Sequence, residues 1–147
     1  MHIDEQKPVV KFELMDDLKF NLSYDSSLLD DHLINFGSVP EEKRKGQPLR
    51  MLCASALSCY IGTIYLELSA RKAEVRHLKG NAVPVISLDK DGLNRLDTIA
   101  IEIDVDVPEK DSGILDEVLK LLNTQGCPIS HHLSHPIEIK STINRIN

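Results

Sequence analysis

The sequence predicts an α+β domain in which one long apolar helix is enclosed by strands and smaller helices. Three observations carry this prediction. Runs with a two-residue apolar period stand on both sides of residues 49–70, that segment is apolar nearly all round, and an amphipathic stripe runs from Ile114 to Leu122.

The elements follow in order. Val10, Phe12 and Leu14 alternate with charged residues, "MDD" turns the chain, and Leu18, Phe20, Leu22 and Tyr24 alternate again, which predicts a hairpin. Residues 25–47 carry Ser, Asp, Gly and Pro punctuation, with room for one helical turn at Ser27–Leu33. Pro48 can open a helix in its first turn, where its missing N–H costs nothing, and the helix is expected to run to Ala70. Short strands are predicted at Ala73–Leu78 and Val83–Leu88, and a longer one at Thr98–Val107. In the last of these, Ile99, Ile101, Ile103, Val105 and Val107 share one face, and Glu102, Asp104 and Asp106 take the wet one. Asp111 or Ser112 can cap the helix that follows, and Gly126 ends it. A short helix is expected from Cys127-Pro128, and a closing strand near Ile137–Ile143. A chain of 147 residues suits one domain, here residues 1–46 as hairpin and irregular loop and 47–147 as the core.

Composition narrows the function. Hydrophobic residues make up 41% and charged residues 27%, an ordinary globular balance. The net charge of −6 speaks against a nucleic-acid partner, which needs a concentrated basic face. The one basic cluster, "EEKRKGQ" at 41–47, follows two glutamates and has no interleaved aromatic residue, so it reads as a solvated loop. The apolar stretch at 51–66 is interrupted by Ser55, Ser58, Tyr60, Gly62 and Thr63 and falls short of the roughly 20 apolar residues of a membrane span. "MHIDEQKPVVKFEL" has acidic residues where a secretory leader is apolar, so a reducing cytoplasm is expected for the three cysteines. No Gly-rich phosphate loop appears, and no nucleotide, flavin or metal cofactor is expected.

The cysteines are the candidate chemistry. Cys127 stands where an N-cap would be, with Pro128 at the first helical position, and the unpaired N–H groups of a helix start favour a thiolate there. A free thiol is only about 3% ionised at pH 7, so even a modest downward shift matters; an inert helix-starting cysteine is the plain alternative. Cys59 lies mid-helix, eleven residues after Pro48 and nine after Arg50, which places Arg50 about 13 Å away along the axis. Activation of Cys59 must therefore come from another segment or another subunit; without it, low-charge surroundings would leave the thiol inert. Cys53 is on a different face of the helix and reads as core filler.

"PLRMLCASALSC" resembles the proline-led central helix of the OsmC/Ohr family of thiol-dependent hydroperoxide reductases, and "CPIS" resembles its second-cysteine motif. The segment between them follows the family's order of strand, amphipathic helix and cysteine; the resemblance covers residues 47–143. It implies an OsmC-like fold with antiparallel strands wrapping a long central helix, and an intertwined homodimer with its site at the subunit interface. It implies Cys59 as the residue that attacks a peroxide, Cys127 as the resolving thiol, and a small thiol or dithiol as reductant. Two departures stand out. The glutamate that follows the proline in strongly active members is Leu49 here, and residues 1–40 contain no arginine to pair with the thiolate. Candidate supporting residues are Arg44, Arg50, His131 and His132.

Three other readings compete. Cys127, His131 and His135 are spaced as i, i+4 and i+8, a set that zinc would accept, although Pro136 biases His135 towards extended backbone. A non-catalytic module could keep the fold and bind a small ligand or sense redox state, which Leu49 would suit. Finally, Cys59 and Cys127 could form a permanent disulfide, a reading that a reducing compartment disfavours.

Overall fold

Alternation near the N-terminus produces a three-stranded antiparallel sheet in order β1-β2-β3, from Lys11–Asp16, Lys19–Ser23 and His32–Asn35. This is a computed structural model, and it describes residues 8–146. Its contacts group into two compact units, the first ending at Pro48 and the second starting at Leu49.

In the first unit, Phe12 pairs with Leu22 and Leu14 with Phe20 across β1–β2, and Phe20 pairs with Ile34 across β2–β3. The rings of Phe12 and Phe20 stack at 4.8 Å, and Phe20 meets Phe36 edge-on at 5.6 Å, the offset and T-shaped geometries that aromatic quadrupoles favour. The helical turn expected at Ser27–Leu33 does not form. Asn21 Nδ2 donates to Asp31 (3.1 Å) and the Tyr24 hydroxyl meets His32 Nδ1 (2.8 Å), so this segment bends back and enters β3 instead. Single 3-10 turns follow at Phe36–Ser38 and Glu41–Lys43.

The second unit is organised by α1, Gln47–Ala70, with Pro48 in its first turn. Its buried residues are Cys53, Ala56, Thr63, Ile64 and Leu68. Ile64 and Leu68 form a core with Ala73, Val118 and Leu122, against which Tyr60, Val75, Ile103, Val105 and Leu115 pack. The helix ends in a Schellman motif: Lys72 takes positive φ, its N–H reaches Ser69 O (2.9 Å) and the Ala73 N–H reaches Leu68 O (3.0 Å).

That motif explains a correction to the strands. Ala73–Arg76 is not extended ladder, because the Ala73 N–H closes α1 and the Glu74 N–H is taken by Asp111 Oδ2 (3.0 Å). The two short strands expected here are one, β4 (His77–Leu88), antiparallel to β5 (Asn94–Asp106) from His77↔Asp106 to Leu88↔Asn94. Along β5, Ile99, Ile101, Ile103 and Val105 are half-buried while Glu102, Asp104 and Asp106 are exposed, as the alternation predicts. Gly80 of β4 lets the hairpin approach α1: a Cβ there would lie 2.8 Å from Glu102 O and 3.1 Å from Leu57 Cδ1.

Two helices complete the unit, α2 (Ser112–Gln125) and α3 (Pro128–Leu133). Asp111 occupies the N-cap position of α2, but its buried carboxylate bonds Glu74 rather than capping. The closing strand expected near Ile137–Ile143 is absent among the described residues. The segment pairs with no strand there, and Ile139 and Ile143 are about nine-tenths exposed, at 87% and 94%. Alternating isoleucines encode a strand only where a neighbouring edge completes its hydrogen bonds.

Candidate functional site: two sulfurs between α1 and α3

Cys127 is the N-cap of α3, with extended backbone and Pro128 next. The Ser130 N–H points at Cys127 Sγ (3.4 Å), and the Cys127 N–H donates back to Ser130 Oγ (3.0 Å). This is a reciprocal capping box in which sulfur takes the place of the usual hydroxyl oxygen. Ser130 Oγ also donates to Cys127 O (2.9 Å). Gly126, which ends α2 at φ 66° and ψ −168°, makes room for it: a Cβ at Gly126 would lie 2.7 Å from Ser130 Oγ. The result is a buried sulfur on a rigid turn.

Cys59 meets this turn from the middle of α1. The Ile129 N–H of α3 donates to Cys59 Sγ at 3.5 Å, and the Ser130 N–H beside it faces Cys127 Sγ at 3.4 Å. The two sulfurs are thus brought together, and both are free thiols. Cys59 is half-buried and Cys127 fully buried, so Cys59 is the one a solute can reach.

Burial raises the Cys59 thiol above its ordinary value; the hydrogen bond and the like charge of Cys127 add to that, while the Ile129 N–H and the Thr63 hydroxyl pull it down. Cys59 is therefore a neutral thiol at pH 7. The preference of the folded state for the neutral thiol is intact below the ordinary thiol range and is lost as pH rises through the raised value.

Of the candidate supporting residues, Arg50, His131 and His132 share the unit of this pair and make no hydrogen bond to either sulfur. Arg50 is an exposed residue of α1, about 13 Å from Cys59 along the helix axis. Arg44 belongs to the first unit, where its Nε donates to Val39 O (3.2 Å). His131 and His132 lie exposed in the last turn of α3, and His135 follows the helix with Nδ1 3.0 Å from His131 O. The zinc set of Cys127, His131 and His135 is not formed. Cys127 Sγ is turned into its own capping box, the histidines face outward, and among the described residues no three potential ligands are placed to hold a metal.

Sequence reasoning treated Thr63 and Ser130 only as small or motif residues. Thr63 was findable as the hydroxyl one turn after Cys59, and Ser130 as the third residue after an N-cap. Beside the pair lies a cavity of about 700 Å³ between α1, β5, α2 and α3. Neither sulfur lines it, but their neighbours Ala56, Tyr60 and Ser130 do, together with Ile101, Leu119 and Leu133.

In this α+β unit a long helix carries one thiol against the start of a short helix that carries a second. The model of the OsmC-like protein family matches residues 41–142, and the chain belongs to that family. Solved structures agree on the fold. An OsmC-like protein from Mycoplasma pneumoniae superposes with a TM-score of 0.65 at 20% identity over 89% of each chain. A hypothetical protein from Aquifex aeolicus gives 0.63 at 18% identity over 88% of each chain. An organic hydroperoxide resistance protein from Elizabethkingia anophelis gives 0.53 at 12% identity, over 88% of this chain and 90% of its own. No curated protein sequence matches the chain.

Proposed function

We propose that the protein reduces organic or hydrogen peroxides through Cys59 and Cys127. The observation that carries this reading is the meeting of α1 and α3: Cys59 Sγ accepts the Ile129 N–H (3.5 Å) while Cys127 Sγ faces the next N–H, that of Ser130 (3.4 Å), so an accessible sulfur stands against the turn that holds a buried one. The Cys59 thiolate attacks the distal peroxide oxygen, the O–O bond breaks, and the alkoxide leaves and takes a proton as alcohol or, from hydrogen peroxide, as water. Cys59 is then a sulfenic acid. The Cys127 thiol displaces its hydroxyl as water to form the Cys59–Cys127 disulfide, and two thiol groups of a small reductant restore both cysteines and become a disulfide themselves. The apolar walls of the neighbouring cavity suit the organic part of such a substrate.

The raised Cys59 thiol, with no cation acting on it among the described residues of the unit that starts at Leu49, makes this a slow peroxidase. The same observation favours the second reading, a redox-sensing or small-ligand-binding module. Peroxide consumption with a dithiol reductant separates the two. Wild type is expected to consume peroxide, Cys59→Ser to lose all consumption above background, and Cys127→Ser to accumulate a sulfenic acid that dimedone traps. Equal consumption by wild type and Cys59→Ser would remove the peroxidase reading.

The working form proposed is a cytoplasmic homodimer, with no membrane or nucleic-acid partner. By length and hydropathy alone, the helical stretch within Glu41–Ala70 would pass for a membrane span, its most apolar window having a mean hydropathy of 1.4. Only 28% of its most apolar window is buried in the single chain, and Tyr65 and Leu66 are exposed on α1. A second copy would cover such a face as the core of an obligate interface does. Sedimentation equilibrium is expected to give twice the chain mass without detergent; a stable monomer would overturn the dimer.

A further inference from the structure

We propose that Ser130 is a positioning residue for the disulfide-forming step: its hydroxyl ties both backbone polar groups of Cys127 and so holds the resolving sulfur against Cys59. In that step the Cys127 sulfur attacks the sulfur of the Cys59 sulfenic acid. The S–S bond forms, the S–O bond breaks, and the hydroxide leaves with the Cys127 thiol proton as water. The assignment deepens the peroxidase reading and rests on it for its place in a cycle, but its test uses a disulfide reagent in place of a peroxide.

Three observations carry the assignment. Ser130 Oγ accepts the Cys127 N–H at 3.0 Å and donates to Cys127 O at 2.9 Å, so one hydroxyl closes on both ends of that residue. The sulfur contributes little to the turn, because a thiol is a weak acceptor and the Ser130 N–H stands 3.4 Å from it. The turn holds the sulfur, not the sulfur the turn. Cys127 is also 1% exposed, so water cannot take the place of the hydroxyl. Without it, Cys127 O keeps the His131 N–H at 3.0 Å, but the Cys127 N–H is left buried with no acceptor, which a fold does not tolerate cheaply.

The residues around this hydroxyl leave it one position. A helix of six residues such as α3 is too short to persist by itself, so its start depends on the groups that cap it. Gly126 fixes the oxygen from one side, since a Cβ there would stand 2.7 Å from it, and Pro128 restricts the backbone on the other. Successive N–H groups of the turn then face the two sulfurs, Ile129 N–H towards Cys59 Sγ and Ser130 N–H towards Cys127 Sγ. Cys127 Sγ can leave its weak cap by rotation about its own χ1, while the hydroxyl keeps the backbone that carries it in place. The sulfur moves and the turn does not.

The test is closure of the cysteine pair from a mixed disulfide, made by adding one equivalent of a bis-nitrobenzoate disulfide to the reduced protein. Labelling of the accessible Cys59 releases one coloured nitrothiobenzoate. Attack of Cys127 on the labelled sulfur releases the second and leaves the Cys59–Cys127 disulfide, which peptide mass spectrometry locates. Ser130→Ala is expected to slow the second release by about tenfold or more, because misplacing a reacting group by about 1 Å can cost about a hundredfold. The first release is expected to stay within about twofold of wild type, since the accessible sulfur is on α1 and not on this turn. Ser130→Thr keeps a hydroxyl and is expected to restore the second release to within about threefold of wild type. An unchanged second release in Ser130→Ala would overturn the assignment, as would equal slowing by alanine and threonine, which would mean packing rather than the hydroxyl. A wild type that gives no second release would overturn it too, because the pair would not close. Should Ser130→Ala not fold, Gly126→Ala crowds the same oxygen with the hydroxyl kept, and an unchanged second release there would count against the assignment equally. A second release slowed by Ser130→Ala in a protein that consumes no peroxide would keep the positioning role and discard the peroxidase.

Discussion

Leu68→Ala is expected to lower the stability of the fold by about 2–5 kcal/mol, the usual range for truncating a buried leucine. Leu68 is 0% exposed and sits among Ile64, Ala73, Val118 and Leu122, where α1, its C-terminal cap and α2 converge. Its carbonyl also receives the Ala73 N–H that ends the helix, so the shell around the cavity is tied to the backbone and collapses poorly. Urea denaturation followed by circular dichroism measures the change, as a lower midpoint at a similar slope. A loss below about 1 kcal/mol would mean that the site refills and that this cluster is not the centre of the core.

Gly126→Ala is expected to be the most damaging single-methyl change near the two sulfurs. At φ 66° and ψ −168° the residue occupies a region that is essentially reserved for glycine, and leaving a side chain there costs about 1–3 kcal/mol. The added Cβ would also stand 2.7 Å from Ser130 Oγ, the atom that receives the Cys127 N–H. Either Ser130 turns away and the capping box opens, or the α2–α3 corner moves and takes Cys127 with it. The expected outcome is a lower melting temperature together with faster labelling of Cys127 by a thiol reagent in the folded protein. Unchanged Cys127 labelling would show that the sulfur is held by packing alone and not by this turn.

Legibility in the sequence varied by residue for identifiable reasons. Local chemistry was readable: Pro48 ahead of an apolar run, the alternation from Thr98 to Val107, Gly126 after an amphipathic stripe and Cys-Pro at a helix start all act within a few residues. The long helix, the first hairpin, the α2–α3 corner and the family pattern follow from them. Elements that depend on a distant partner were misread. Ala73–Arg76 looks like strand, but Glu74 gives its N–H to Asp111, thirty-seven positions along the chain. Ile137–Ile143 has the period of a strand and no strand beside it among the described residues. Ser27–Leu33 has the polarity of a helical turn, yet Tyr24 and Asn21 tie the segment back towards β3.

The candidate site divides in the same way. From the sequence alone came the two cysteines, their order, and the absence of a glutamate after Pro48 and of an arginine before residue 41. Tertiary structure alone decided what surrounds Cys59: the Ile129 N–H and the Cys127 thiol come from a helix seventy residues away in the chain, and the net effect is a raised thiol. The physical reason is range. Propensity, capping and periodicity act over one or two turns and are written into neighbouring residues, whereas the ionisation of a sulfur is set by burial and by donors that only the folded chain brings within reach.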